Sequence, residues 1–242
     1  RQAAHDGASL IVAAGGDGTI AEVANGLMGQ SAKLGIIPLG TANVLARELA
    51  LPFAPDAIAS ALAFRRTRTL WPGLAHREGH DLLFVQMLGV GFDAQVVHQL
   101  NLPMKRVLGR GAYVLQTLRE LTRYAYTPIH LRLDGREIVV GSAIVSKGRL
   151  YAGPYTLAPT ATPTERGFHV ALFERSGPAA TLVYGAALPL HLLPRAPGLS
   201  LVRAARIELL GRPVPAQADG DPAGHTPLTI TDAPAPLQVV VG

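Results

Sequence analysis

Gly15-Gly16-Asp17-Gly18-Thr19 is the segment of this chain best suited to chemistry. Glycines let backbone N–H groups approach a phosphate with no side chain in the way. A helix starting there adds the partial positive charge of its N-terminus. Asp17 would repel a bare phosphate. It fits if Mg2+ lies between the two or if it orients a water or hydroxyl, and otherwise it is a helix cap. Pro38-Leu39-Gly40-Thr41-Ala42-Asn43 is a second segment of the same kind. Thr41 can donate to a phosphate or cap a helix, and Asn43 can read a base edge or cap. Neither segment has the Lys-Ser/Thr of a P-loop, and the G-x-G-x-x-G fingerprint is absent. Asp219-Gly220-Asp221 places two carboxylates two residues apart. On a strand they point the same way; if Gly220 breaks the strand they diverge, and Asp-Gly also suits a plain hairpin turn. Phosphoryl transfer needs positioning, charge neutralisation and a proton acceptor, which such a pair can supply.

The elements that must hold these residues are legible from apolar spacing. Residues 9–14 and 34–39 are short apolar runs of the kind found in buried parallel strands. Each is followed by one of the two turns. Ile20, Val23, Ala24, Leu27 and Met28 then repeat at helical spacing, as do apolar residues within 42–50 and 55–64. Strands alternating with helices imply βαβ units, whose ligands bind at the carboxyl ends of the strands. From residue 67 the pattern turns to β: 67–70, 82–90, 129–133, 137–145, 167–173, 199–209, 214–218, 228–231 and 237–241, with a hairpin at Asp134-Gly135. Helices are expected at 105–124, amphipathic and basic, and at 178–188, apolar enough to be buried. The fold class is α/β plus all-β. A partial Rossmann-like lobe over 1–66 precedes a β-sandwich lobe over 67–242, whose last segment can return to the first lobe.

Composition narrows the function classes. The 242 residues include no cysteine, which excludes a disulfide framework, a thiolate metal site and a cysteine nucleophile. Apolar residues at 48% against 16% charged exclude a disordered chain. The net charge is +5, carried by 19 arginines and by lysines at 33, 105 and 147 only. It fits either genome composition or anionic partners such as phosphates and a membrane surface. Aromatic residues are 5% with no basic-aromatic interleaving, so nucleic acid is not an expected partner. No apolar run is long enough for a spanning helix, since 181–193 is broken by Pro189 and His191.

The ordered set of motifs resembles the diacylglycerol kinase catalytic-domain family, which includes bacterial lipid kinases and sphingosine kinases. It comprises Gly15 to Thr19 with Glu22-Val23-Ala24-Asn25-Gly26-Leu27, then Pro38 to Asn43, Gly89-Val90-Gly91-Phe92-Asp93-Ala94, and Gln217-Ala218-Asp219-Gly220-Asp221. The resemblance implies an active site in the cleft between the lobes and transfer of the ATP γ-phosphoryl group, with Mg2+, to a lipid hydroxyl. It implies nucleotide contacts from Gly15, Gly16, Asp17, Gly18, Thr19, Ile20, Ala21, Gly40 and Thr41, assisted by Glu22 and Asn43. Asp221 stands where the family has its Glu general base; Asp219 and Asp17 would belong to the acidic Mg2+ network. The implied partners are ATP and a lipid at the membrane surface, and the implied location is the cytoplasm with a peripheral position on the inner face of the membrane.

Three departures accompany the resemblance. The resembling family begins with a further strand and phosphate-binding turn, so this chain is expected to lack the first βαβ portion and either to bind ATP poorly or to have been cut from a longer parent. Asp221 is one methylene shorter than Glu. Two acidic positions of bacterial members are replaced: Trp71 follows the third helix, and Glu165-Arg166-Gly167 stands where members with a structural Mg2+ have Asp-Gly. Arginine has no acceptor, so that metal site is not expected here. Two other function classes stay open: a non-catalytic lipid- or nucleotide-binding protein on the same scaffold, and a soluble kinase of the NAD kinase type. Asp93 is expected either in the active-site network or as the cap of a helix from Ala94. Lys147 is expected as an exposed loop charge.

Overall fold

The computed structural model describes residues 1–77, 79–100 and 110–242. In chain order the helices are α1 (Gln2–His5), α2 (Asp17–Leu27), α3 (Val44–Glu48), α4 (Pro55–Phe64), α5 (Phe92–His98), α6 (Arg110–Glu120) and α7 (Pro178–Ala187). The strands are β1 (Leu10–Gly15), β2 (Lys33–Pro38), β3 (Thr67–Leu70), β4 (Gly73–Arg77), β5 (His80–Phe84), β6 (Met87–Val90), β7 (Ile129–Leu133), β8 (Arg136–Val140) and β9 (Ser142–Ser146). They continue with β10 (Leu150–Tyr151), β11 (Tyr155–Thr156), β12 (Phe168–Phe173), β13 (Leu199–Ala204), β14 (Ile207–Leu210), β15 (Pro215–Ala218), β16 (Asp221–His225), β17 (Leu228–Asp232) and β18 (Leu237–Val240).

The first sheet has the order β1-β2-β18-β3, with β1, β2 and β18 parallel and β3 antiparallel to β18. Its apolar strands pack with α2 and α3 around Ile20, Ala24, Leu34, Leu45 and Val239. The two sandwich sheets are antiparallel, β13-β12-β9-β6-β15-β16 and β5-β4-β17-β14-β7-β8. They share one core that includes Phe84, Leu88, Ile129, Val145, Phe168 and Ile230. This is the two-lobe α/β plus β-sandwich class read from the sequence. The pairing of β3 with β18 continues into that of β4 with β17, so one antiparallel ribbon runs from the first sheet into the sandwich. Ala233 N–H donates to Pro72 O at 2.9 Å at the crossing.

Three expected strands are each two. Residues 82–90 are β5 and β6, 137–145 are β8 and β9, and 199–209 are β13 and β14; in every case the chain passes from one sandwich sheet to the other. In 82–90 the apolar run hides the crossing because residues 83–90 are all buried. At two of the crossings an aspartate marks the switch. Asp134 accepts hydrogen bonds from Ala205 N–H and Arg206 N–H, between β13 and β14. Asp219 does the same between β5 and β6. Each precedes a glycine in a two-residue turn with positive φ at both positions, 46° and 90° at Asp134-Gly135, 50° and 89° at Asp219-Gly220, as a type I′ hairpin requires.

Other expectations are corrected. The helix at 178–188 is α7, but none of its residues is fully buried, and Leu182 and Val183 are more than half exposed. The expected helix 105–124 is described from Arg110; its earlier residues, Arg106 among them, lie outside the described residues. Lys147 is buried.

Glu48 joins the two lobes. Its carboxylate, on α3, accepts from Arg149 Nε at 3.0 Å and from Leu150 N–H at 2.9 Å. The glutamate side chain is 2% exposed, whereas Arg149 is half exposed and screened by solvent. The backbone bond therefore dominates its value. Glu48→Ala is expected to lower the unfolding free energy by about 2 kcal/mol in urea denaturation, and a change below the error of that measurement would mean that the lobes are held elsewhere.

Candidate active site

The two glycine turns meet at the carboxyl ends of β1 and β2. Leu39 N–H donates to Gly15 O at 2.9 Å. A β-carbon on Gly16 would lie 3.2 Å from the Gly40 Cα, and one on Gly40 would overlap Gly16 outright. The backbones thus touch with no side chains between them, at the N-terminus of the 11-residue helix α2. Such a cradle of bare backbone beside a helix N-terminus suits a chain of phosphates.

Asn43 closes the second turn. It has left-handed backbone, φ 48°, which asparagine tolerates better than most residues. Its side chain accepts from Gly40 N–H and donates to Gly40 O, both at 2.8 Å. The amide is consumed by the loop and shapes it. Asp17, in the first turn of α2, accepts from Leu45 N–H at 3.3 Å and so ties α2 to α3. Burial raises its carboxyl above the ordinary aspartate range, against backbone N–H groups of 43–45 that favour the charge. Ile20 has its side chain in the core and its N–H on Gly16 O, so it serves the helix and the core. Thr19, Thr41 and Glu22 are exposed; Gly15, Gly18 and Ala21 are half-buried.

Asp219 and Asp221 diverge, because the hairpin turn falls between them. Asp219 faces inward. Its Oδ2 accepts from Val85 N–H at 2.7 Å, and its Oδ1 from Gln86 and Met87 N–H, both at 2.9 Å. Burial pushes its carboxyl up to about 7, the three N–H donors pull it back, and the negative charge of Asp17 adds to the rise. Asp221 opens β16, is exposed, and lies against Gly18: a β-carbon on Gly18 would overlap its Oδ2. The last motif of the chain therefore meets the first across the lobe boundary. No group of three acidic, histidine or cysteine residues placed to hold a metal occurs among the described residues.

Residues outside the expected site set support this turn. Gln217 Oε1 accepts from Gly220 N–H at 2.9 Å, and its Nε2 donates to Asp93 Oδ2 at 2.8 Å. Asp93 also accepts from the Tyr151 hydroxyl. It lies in the first turn of α5, which starts at Phe92 after Gly91, and it makes no cap; it belongs to the network behind the Asp219 turn. Burial raises the Asp93 carboxyl and, more strongly, the Tyr151 hydroxyl. Tyr151 carried no local sequence signal.

The two neighbouring aspartates should behave oppositely. Asp219→Ala strands three backbone N–H groups and is expected to cost at least about 3 kcal/mol of stability. Asp221→Ala should stay within about 0.5 kcal/mol of the parent in the same urea titrations. Equal effects would contradict the divergence.

Comparison with known proteins matches both lobes of the chain. The family model of the diacylglycerol kinase catalytic domain matches residues 1–73, and that of the YegS C-terminal NAD kinase beta sandwich-like domain matches residues 86–241. A diacylglycerol kinase of Mycobacterium tuberculosis is 29% identical over 245 residues, covering 97% of this chain and 77% of that protein. A protein of Chromohalobacter salexigens named "Probable lipid kinase YegS-like" is 35% identical over 170 residues, covering 66% of this chain and 52% of that protein. Among solved structures, a diacylglycerol kinase from Bacillus anthracis superposes with a TM-score of 0.69 at 18% identity, covering 97% of this chain and 76% of that one. An NAD kinase from Archaeoglobus fulgidus in complex with ATP gives 0.53 at 17% identity, covering 96% and 77%. These structural likenesses show the fold. No helix among the described residues is long and apolar enough to cross a membrane. With the sandwich model matching well over half of the chain and the catalytic model taking up both glycine turns, the chain belongs to the family of diacylglycerol kinases and YegS-like lipid kinases.

Proposed function

We propose that this protein transfers the γ-phosphoryl group of ATP to the hydroxyl of a lipid, with a diacylglycerol-like or sphingoid-like acceptor. The observation that carries the reading is the contact of Asp221 with Gly18, which sets an exposed carboxylate at the glycine cradle. The lipid acceptor is supported by the names of the relatives, and ATP by the family and by the nucleotide in the NAD kinase neighbour.

In this reading Gly15, Gly16, Gly18, Thr19, Gly40 and Thr41 hold the phosphates through backbone N–H groups and hydroxyls, with Ala21 and Glu22 one turn further along α2. Asn43 fixes the second loop. Mg2+ arriving with the nucleotide would neutralise phosphate charge, with Asp17 as the carboxylate able to hold it. Asp219 fits less well as a ligand, since both its oxygens are committed to backbone; it positions residues 85–87. Asp221 accepts the proton of the lipid hydroxyl as its oxygen attacks the γ-phosphorus, and the bond to the bridging oxygen breaks to release ADP. The acceptor approaches over an apolar surface. Tyr184 and Leu188, on and just after α7, pack onto the cluster containing Val44, next to Asn43, while Leu182, Val183, Leu190 and Leu192 stay exposed. Arg65, Arg66 and Arg68 are exposed and would meet anionic headgroups at about 1 kcal/mol each. In this reading the protein works at the cytoplasmic face of a membrane.

Radiolabelled ATP offered with a total lipid extract tests the reading, and labelled lipid is the expected product. Asp221→Ala should lower the rate at least about 100-fold with ATP affinity by calorimetry unchanged within about twofold. Unchanged turnover would remove Asp221 from the mechanism. Labelling of NAD with no labelled lipid would move the protein to the soluble kinases, and nucleotide binding with no product would make it a binding protein.

A further inference from the structure

Lys147 follows β9, and its side chain is completely buried. Its ammonium donates to Asp232 Oδ1 at 2.8 Å, to Gly167 O at 2.9 Å and to Glu165 O at 3.1 Å. That accounts for all three N–H bonds of the group. The ring of Phe168 lies 4.7 Å away. The second oxygen of Asp232 accepts from Gly167 N–H at 2.8 Å and lies 3.8 Å from Arg166 Nε. Two carbonyls and a carboxylate converging on a point form a cage of hard oxygen ligands, the environment that Ca2+ and Mg2+ take. Here the cation at its centre is part of the chain.

The two positions that depart from the acidic pattern of the resembling family lie at this cage and touch each other. The Arg166 guanidinium stands over the Trp71 ring, 4.6 Å from its centroid, and Trp71 N–H donates to Pro163 O at 2.8 Å. Arg166 lies between the two residues whose carbonyls hold Lys147. A divalent ion does not fit. Mg2+ needs about six oxygens at roughly 2.1 Å, whereas all three acceptors of the cage already receive an N–H, and Lys147 and Arg166 would repel a further cation.

We propose that the Lys147 ammonium is the resident cation of the sandwich lobe, at the segment 165–167 that carries Arg166, and that this lobe is therefore independent of divalent metal. The cage is coupled to the active site through the backbone: Lys147 N–H donates to Gln86 O at 2.8 Å, and Gln86 N–H donates to Asp219. Burial lowers the lysine below its ordinary value, and Asp232 acts against that by favouring the charge. The inference is independent of which acceptor, if any, the protein phosphorylates.

Thermal unfolding of the nucleotide-free chain tests it. The wild-type Tm should agree within about 1 °C between EDTA and millimolar Mg2+ or Ca2+. Lys147→Ala should lower Tm by about 10 °C, and millimolar propylammonium should restore part of the loss where propanol does not. A wild-type Tm that rises by more than about 3 °C with Mg2+, or falls as much with EDTA, overturns the proposal. So does a Lys147→Ala variant as stable as the parent. If that variant does not fold, the wild-type comparison alone decides.

Discussion

The carboxylate of Asp219 is the interaction on which the site depends. Three consecutive N–H groups, from Val85 to Met87, would otherwise be buried without partners at the point where the chain leaves one sandwich sheet for the other. Supplying their acceptor from a hairpin turn does two things at once. It ends β5 and starts β6, and it fixes the turn whose next strand begins with Asp221. The orientation of the exposed acid toward the glycine cradle is thus a by-product of satisfying buried backbone. Gln217, Asp93 and Tyr151 reinforce the turn from behind, so the exposed carboxylate stands on a rigid support while itself making little contribution to the fold.

Around this turn the lobes are joined by groups of different chemistry. Glu48 binds the side chain and backbone of residues 149–150 and the ribbon of β3-β4 and β17-β18 carries hydrogen bonds across, while within the sandwich Lys147 gathers the 165–167 loop and Asp232. All three converge on the segment 84–88. The cleft is consequently built from backbone positions that are fixed several times over.

The sequence made the glycine turns, the βαβ opening and the Asp-Gly hairpins legible, because each depends on local backbone demands that glycine and aspartate reveal. It did not reveal the sheet switches inside 82–90, 137–145 and 199–209: in the first of them burial continues unbroken, and the aspartates that mark the first and the last lie far away in sequence. Lys147 was misread for a related reason. Ser146-Lys147-Gly148 has the composition of a surface loop, and the acceptors that make burial tolerable come from residues 165, 167 and 232. The exposed apolar face of α7 misled in the opposite direction, since composition alone reads as core. Asp219 and Asp221 could be read as a pair from their spacing, but their division into an inward anchor and an outward acid follows from the turn between them.

Strand β18 lies between β2 and β3 in the first sheet, although it is the last strand among the described residues. During synthesis, therefore, β2 and β3 emerge early with an open slot between them, and the whole sandwich is made before the strand that fills it. The glycine cradle at the end of β2 lacks its neighbour until that insertion, and Asp221 reaches Gly18 only once β16 has been synthesised. Assembly of the cleft thus waits for β16 and β18, so a nascent chain that has not reached them has the glycine turns without the sheet that supports them.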